Sequence, residues 1–269
     1  MQYDPIKRSL GNVFNKSPFL RVVFYKLLDI LLLRAWHVKN QVKKLKKEMP
    51  ENAHFLDAGS GFGQYSYFLA KKFPKAELLG VDVKEEQIED CNRFFTQVSL
   101  NDRVSFEVAD LTKFVEKEKY NLVLSIDVME HIEEDVKVFE NFHASLKKGG
   151  IVLISTPSDQ GGSDVHDDHE ESFIDEHVRD GYNIDEIKDK LSRAGFSKVI
   201  AKYSYGAPGK ISWKLSMKYP ISMLNASKLF FILLPFYYIL TFPICLILNY
   251  LDVRMKHKTG TGLIVKAIK

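Results

Sequence analysis

In the first fifty positions apolar residues recur at Leu20, Val23, Phe24, Leu27, Leu28 and Leu31, on one face at helical spacing. Residues 18–48 are therefore predicted to form one helix or two in series, ending in the basic run Lys43, Lys44, Lys46 and Lys47 and closed by Pro50. From Ala53 the pattern changes to short apolar runs alternating with amphipathic segments. Strands are expected at 54–58, 77–83, 104–109, 122–126, 151–155, 197–203 and 263–268. Helices are expected at 64–73, 85–96 and 135–146, the last stopped by Gly149-Gly150, and at 184–194, capped by Asn183 and stopped by Gly195. Strand–helix alternation on this scale predicts a mostly parallel sheet with helices on both faces.

The pattern breaks once more between the last two strands. Residues 206–261 form an insertion, and within it Leu229 to Leu251 carries no charged residue. That run is long enough to cross a bilayer, which takes about 20 apolar residues. If the strands on either side pair in one sheet, however, a lone crossing would put them on opposite sides of the membrane. The insertion is expected to enter and return or to lie along the surface, bent near Pro235 and Pro243. Tyr237, Tyr238 and Tyr250 suit an interface, and Lys210, Lys214, Lys218, Lys228, Arg254, Lys256 and Lys258 suit anionic headgroups. A lid or a dimer contact in a soluble protein is the alternative.

Charge sharpens this division. The net charge of +3 hides eleven Lys/Arg against three Asp/Glu in residues 1–50 and nine against Asp252 alone in residues 206–269, so the middle is strongly acidic. The basic ends flank aliphatic surface rather than interleaving with aromatics in a polar groove, so lipid is expected there and nucleic acid is not. Phe19 to Leu33 is interrupted by Arg21, Lys26 and Asp29 with no small-residue cleavage site after it, and no signal peptide is expected. The two cysteines, Cys91 and Cys245, read as free thiols of a reducing compartment.

The chemistry begins where the first strand runs into Asp57-Ala58-Gly59-Ser60-Gly61-Phe62-Gly63. Glycines let the backbone turn sharply and approach a ligand, and the next helix offers unpaired N–H groups. About twenty residues on, Asp82 closes the second strand, where a carboxylate can accept ribose hydroxyls. The spacing is G-x-G-x-G after an acid, with Gln64 where a dinucleotide fingerprint would have its third glycine.

With Asp110-Leu111 after the third strand, the 125–131 segment after the fourth and Lys147-Lys148-Gly149-Gly150 before the fifth, the sequence resembles the class I methyltransferases that use S-adenosylmethionine (SAM). The resemblance covers residues 51–205 and the final strand. It implies an α/β, doubly wound, mostly parallel sheet with an antiparallel last strand. To this are added an N-terminal helical segment (1–50) and a hydrophobic helical insertion (206–261) before the last strand (262–269). It also implies that Asp57, Gly59, Gly61 and Gly63 hold the methionine end of SAM, that Asp82 and Val83 border the ribose, that Asp110 and Leu111 read the adenine, and that Asp127 lines the pocket.

Asp127, Glu130 and His131 form a D-x-x-E-H segment that resembles the E-x-x-E-H motif of the quinone-type O-methyltransferases, with a shorter acid at the first position. The likeness implies catalytic work at these residues, with His131 a candidate base. It also implies a divalent ion such as Mg²⁺ on the three side chains. His177, Arg179 and Tyr182 lie in a segment that closes the substrate side in similar proteins, and are expected to contact the acceptor. The His166–His169 cluster reads as an acidic loop rather than a zinc site.

The expected activity is SAM-dependent O-methylation of a hydrophobic or membrane-borne acceptor, on the cytoplasmic face of a membrane. A soluble small-molecule methyltransferase and an inactive membrane-bound binding protein on the same fold remain open alternatives.

Overall fold

A computed structural model describes residues 17–161, 178–227 and 229–269. Two helices in series come first, α1 (Pro18–Leu31) and α2 (Leu33–Leu45). Ser17 caps α1 by accepting from the Leu20 N–H at 3.2 Å, Pro18 supplies the fixed φ of a first turn, and the extended backbone of Leu32 breaks the pair. The alternating part follows as β1 (His54–Ala58), α3 (Gln64–Lys72), β2 (Glu77–Asp82), α4 (Glu85–Gln97), β3 (Val104–Val108), β4 (Tyr120–Ile126), α5 (Asp135–Ser145), β5 (Leu146–Pro157), α6 (Ile184–Arg193) and β6 (Lys198–Ser204). The insertion contributes α7 (Ala207–Trp213), which runs through a π-helical stretch (Lys214–Lys218) into α8 (Tyr219–Ala226), and then α9 (Phe230–Arg254). Strand β7 (Gly262–Ile268) ends the chain.

The seven strands form one sheet in the order β3-β2-β1-β4-β5-β7-β6, with β7 antiparallel to both neighbours and the other ladders parallel. Both faces are covered. Tyr25, Val38, Leu69, Phe94 and Phe95 pack on one side, and Val138, Phe139, Phe142, Ile187 and Leu191 on the other. Burial on both faces explains why the central strands read as short continuous apolar runs. The strand order reverses between β1 and β4, so the loops after those two strands diverge and leave a crevice at their carboxyl ends.

Two local expectations need correction. Gly149-Gly150 does not stop a helix. α5 ends at Ser145, and the glycines lie inside β5, where the pairing with β4 shifts register between Tyr120 and Leu122. Pro235 and Pro243 do not mark the turn of the insertion either, because both lie inside α9, a single 25-residue helix. A proline forfeits its own N–H bond, but its φ is helical, so the flanking bonds carry the helix through. The chain instead leaves α8 at Ser227, whose backbone is extended, before α9 begins. The insertion is a hairpin of α7–α8 against α9, and its two ends meet, since Ser204 and Gly262 are register partners in the sheet.

Candidate active site

The loop after β1 is held by its own backbone. The N–H groups of Gly59 and Ser60 donate to the Val81 carbonyl at 2.8 and 2.9 Å, and Gly63 N–H donates to Ser60 at 2.9 Å. Gly59, Gly61 and Gly63 all have positive φ. At Gly59 a side chain is excluded twice over, by φ of +82° and by the Val128 side chain, whose Cγ2 would lie 2.2 Å from an added Cβ. The β1 loop and the β4 loop therefore fit against each other through the absence of that one carbon.

Three carboxylates stand at the ends of three adjacent strands. Asp57, at the end of β1, is buried and accepts from Ser66 Oγ at 2.6 Å. Burial pushes its carboxyl up to about 6, against the lowering effect of the Ser66 bonds. Asp82, at the end of β2, accepts from the N–H groups of Gly61 at 2.9 Å and Lys84 at 3.0 Å, so its orientation is fixed by the loop it faces. Asp110, just beyond β3, accepts from the Thr112 N–H and hydroxyl at 2.9 and 2.7 Å, and these bonds hold its carboxyl below the usual range. Beside them Val83 is largely exposed and Leu111 is buried. Strands sit about 4.8 Å apart, so this acidic edge spans about 10 Å from β1 to β3.

The D-x-x-E-H residues part company. Asp127 has a left-handed backbone (φ +52°) and pairs with Arg34 of α2. Glu130 turns inward, is buried, accepts from Thr156 Oγ1 at 3.0 Å, and is pushed up by that burial. His131 is exposed at the end of the 3-10 turn Met129–His131. Among the described residues no group of three His, Cys, Asp or Glu is placed to hold a metal ion. The expected Mg²⁺ site on Asp127, Glu130 and His131 is thus corrected. The positive φ at Asp127 and the 3-10 turn send the three side chains to an arginine, into the core and to the surface.

The substrate-contact expectation for Arg179 and Tyr182 is corrected as well. Tyr182 is fully buried and donates to Asp135 Oδ2 at 2.7 Å. Arg179 pairs with the same carboxylate and donates to the Ile132 carbonyl at 2.8 Å. Lys190 adds a third contact to Asp135 at 2.8 Å. Burial raises the Asp135 carboxyl, but the bonds from Lys190 and Tyr182 and the Arg179 charge outweigh it and hold it below the usual range. These residues fasten the 129–135 turn to the body of the protein, and Val178 N–H does the same through the Glu130 carbonyl at 3.1 Å. His177 and the 166–169 cluster lie outside the described residues.

Several residues at the site were not legible as functional. The N-terminal helices lie over the glycine loop: Arg21 donates to the Phe62 carbonyl at 2.8 Å, Tyr25 donates to the same oxygen, and Gln64 donates to Asp29 at 2.8 Å. Arg34 also donates its backbone N–H to the Tyr205 hydroxyl at 3.0 Å. Two buried hydroxyls here, Ser60 Oγ and Ser125 Oγ, have no hydrogen-bond partner among the described residues, and the buried Arg34 and Tyr65 side chains lie beside each other. Buried polar groups are seldom left unpaired, so this cluster has the donor and acceptor capacity of a polar ligand site. An arginine breaking the apolar run 31–36 was the one signal in the sequence.

The methyltransferase-domain family matches residues 50–200. The chain belongs to that family. Its fold is that of a class I SAM-dependent methyltransferase, and the glycine loop, the acidic edge and the unpaired polar atoms fit such a cofactor. This methyltransferase is 24% identical over 131 residues to malonyl-[acyl-carrier protein] O-methyltransferase 2 of Ilyobacter polytropus, covering 49% of each chain. It is 30% identical over 165 residues to phosphoethanolamine N-methyltransferase 1 of Arabidopsis thaliana, covering 58% of this chain and 31% of that one. Phosphoethanolamine N-methyltransferase 2 of Haemonchus contortus, solved with phosphomonomethylethanolamine and S-adenosylhomocysteine, superposes with a TM-score of 0.58 at 21% identity over 86% of this chain and 52% of that one. The chain thus spans about half, or less, of these relatives.

Proposed function

We propose that this methyltransferase transfers the methyl group of SAM to an oxygen of a hydrophobic acceptor. The observation that carries the reading is the row of Asp57, Asp82 and Asp110 at the ends of three neighbouring strands, beside a glycine loop whose Gly59 has no room for a side chain. The row matches an elongated ligand with an ammonium at one end, a ribose in the middle and an exocyclic amine at the other. Arg34 and Asp127 bring opposite charges to one point, which suits the zwitterionic methionine end. SAM supplies an already activated methyl group, so the protein's work is to orient the acceptor and take its proton.

His131, exposed at the end of the 3-10 turn that follows β4, is the group proposed to take that proton. The large apolar surface of the insertion favours a hydrophobic acceptor. The D-x-x-E-H likeness to quinone-type enzymes and the O-methyltransferase name of one relative favour oxygen, while the N-methyltransferase relative makes nitrogen the competing outcome. The test offers SAM with paired hydroxyl and amine acceptors of equal chain length and identifies products by mass. Oxygen products are expected, and His131→Ala should lower turnover by about 100-fold with SAM affinity unchanged. A fully active His131→Ala, or transfer only to amines, overturns the assignment.

The raised Asp57 carboxyl gives a pH signature. Its value of about 6, against an ordinary 3.8, means that ionisation above pH 6 costs the folded state, so the ligand-free protein gains stability from this group as pH falls through that window. An ammonium beside Asp57 needs the ionised form. Stabilisation by SAM in thermal melts should therefore shrink as pH falls from about 7.5 to about 5, and Asp57→Asn should flatten the dependence. An equal SAM shift at both pH values overturns the contact.

A further inference from the structure

We propose that the hairpin of α7–α9 is a membrane-docking element that lies in the plane of an anionic leaflet, with the outer face of α9 set into the acyl region. The inference goes beyond the methyl-transfer reading and does not depend on it. α9 has the length and composition of a membrane-crossing helix, yet only 11% of its most apolar stretch is buried. Its two faces differ. Cys245, Asn249 and Asp252 are buried, and the hydroxyls of Tyr237 and Tyr238 donate to the Leu215 and Ser216 carbonyls at 2.7 and 2.9 Å. Those carbonyls belong to the π-helical stretch, so these two tyrosines, expected at a lipid interface, staple the hairpin together instead.

The opposite face carries Leu229, Ile232, Phe236, Ile239, Leu240 and Ile247, each 61 to 74% exposed and spaced as one continuous stripe. At about 1.5 Å per residue the stripe runs for about 30 Å.

Three observations choose the occupant and its orientation. First, the hairpin ends meet at Ser204 and Gly262, so α9 cannot cross alone. Second, Lys210, Lys214 and Lys218 recur one turn apart along the first arm, Arg254 ends α9 and Lys256 lies just past it. Entry tip-first would carry the arm's lysines toward hydrocarbon, where charge is costly, whereas an in-plane hairpin leaves every one at headgroup level. Third, the hairpin's one carboxylate, Asp252, is wholly buried, so the accessible charge is all positive. That complements anionic lipid and disfavours the same patch on a second copy.

Flotation of the full chain with vesicles tests this. The protein should float with vesicles of about one-third phosphatidylglycerol, and Ile232→Glu, Leu240→Glu and Ile247→Glu together should cut the bound fraction about tenfold or more. Binding of S-adenosylhomocysteine by the triple variant should stay at the wild-type level, which separates this outcome from failure of the active-site reading. Depth labels on Leu233→Cys, Leu240→Cys and Ile247→Cys, selective because Cys91 and Cys245 are buried, should report equal shallow depths. A steep gradient from Leu233 to Ile247 overturns the in-plane geometry. Absence of flotation, with a dimer in vesicle-free buffer that the glutamates dissolve, overturns the membrane in favour of a second copy.

Discussion

Gly59→Ala is expected to remove measurable SAM binding and to leave the chain folded. Two costs fall on one methyl group. A side chain at φ +82° adopts a left-handed backbone, at about 1–2 kcal/mol. The added carbon would also lie 2.2, 3.0 and 3.2 Å from Cγ2, Cγ1 and Cβ of Val128, and overpacking of that kind costs about 1–3 kcal/mol. The loop can escape only by moving away from the β4 loop, which displaces Gly61 N–H from Asp82 and opens the cradle. Together these costs amount to about 2–5 kcal/mol, or at least about thirtyfold in affinity at 1.4 kcal/mol per decade. Gly149→Ala is the matched control. It carries the same sign of φ (+75°), meets nothing within 4 Å and lies at the other end of the sheet edge. It should lose some stability and no SAM affinity. Calorimetry with S-adenosylhomocysteine decides, and equal affinities for the two variants would mean that the ligand does not lie on this loop.

The same contact explains what was legible in the sequence. The glycine spacing announced a sharply turning loop, but the partner that makes Gly59 obligatory, Val128, belongs to a loop sixty-nine positions away. The central strands β1 and β4 were readable because burial on both faces leaves each as a nearly unbroken apolar run, whereas β3 and β6, at the sheet edges, alternate apolar with polar residues. The D-x-x-E-H spacing was readable as a shared locus and misleading as a ligand set. A regular helix would hold its members on one side, whereas the positive φ of Asp127 and the 3-10 turn after it disperse them. Arg179 and Tyr182 looked available because polar residues in a loop usually are. Their burial around Asp135 depends on α6 bringing Lys190 to the same carboxylate, which periodicity does not encode. The prolines of α9 misled for the converse reason: a local rule about helix breaking gave way to docking of the helix against α7 and the π-helical stretch.

Arg34 shows how the hairpin and the active site share one support. It lies one turn before His37 on α2. His37 Nε2 lies 2.8 Å from Asp252 Oδ1 near the end of α9, and Asp252 also accepts from the N–H groups of Tyr205 at 3.1 Å and Gly209 at 2.9 Å. His257 donates to the Asp252 backbone carbonyl at 2.8 Å. Tyr205 closes the circuit by accepting from the Arg34 N–H. One wholly buried carboxylate thus anchors α9, the start of α7 and the helix that delivers Arg34 to Asp127.

Asp252→Ala is accordingly expected to lower stability by about 3–5 kcal/mol, since removing one partner leaves the others buried and unpaired. For a chain of this size that is a fall in Tm on the order of 10 °C. The pH dependence has a definite sign. Burial raises the Asp252 carboxyl, but the His37 hydrogen bond and the charges and N–H groups around it outweigh that and hold it below its ordinary 3.8. Its contribution is therefore complete above about pH 4 and is lost as pH falls through the lowered value. The gap in Tm between wild type and Asp252→Ala should be widest near neutrality and should close in acid. Turnover and SAM affinity should both fall with the anchor, because Arg34, proposed to meet the methionine end of SAM, loses its seat against Asp127. Thermal melts across the acid range, with turnover and SAM affinity measured on the surviving fold, check all three parts. A variant as stable as the wild type, or a gap that widens in acid, would show that Asp252 does not hold the hairpin and the active site together.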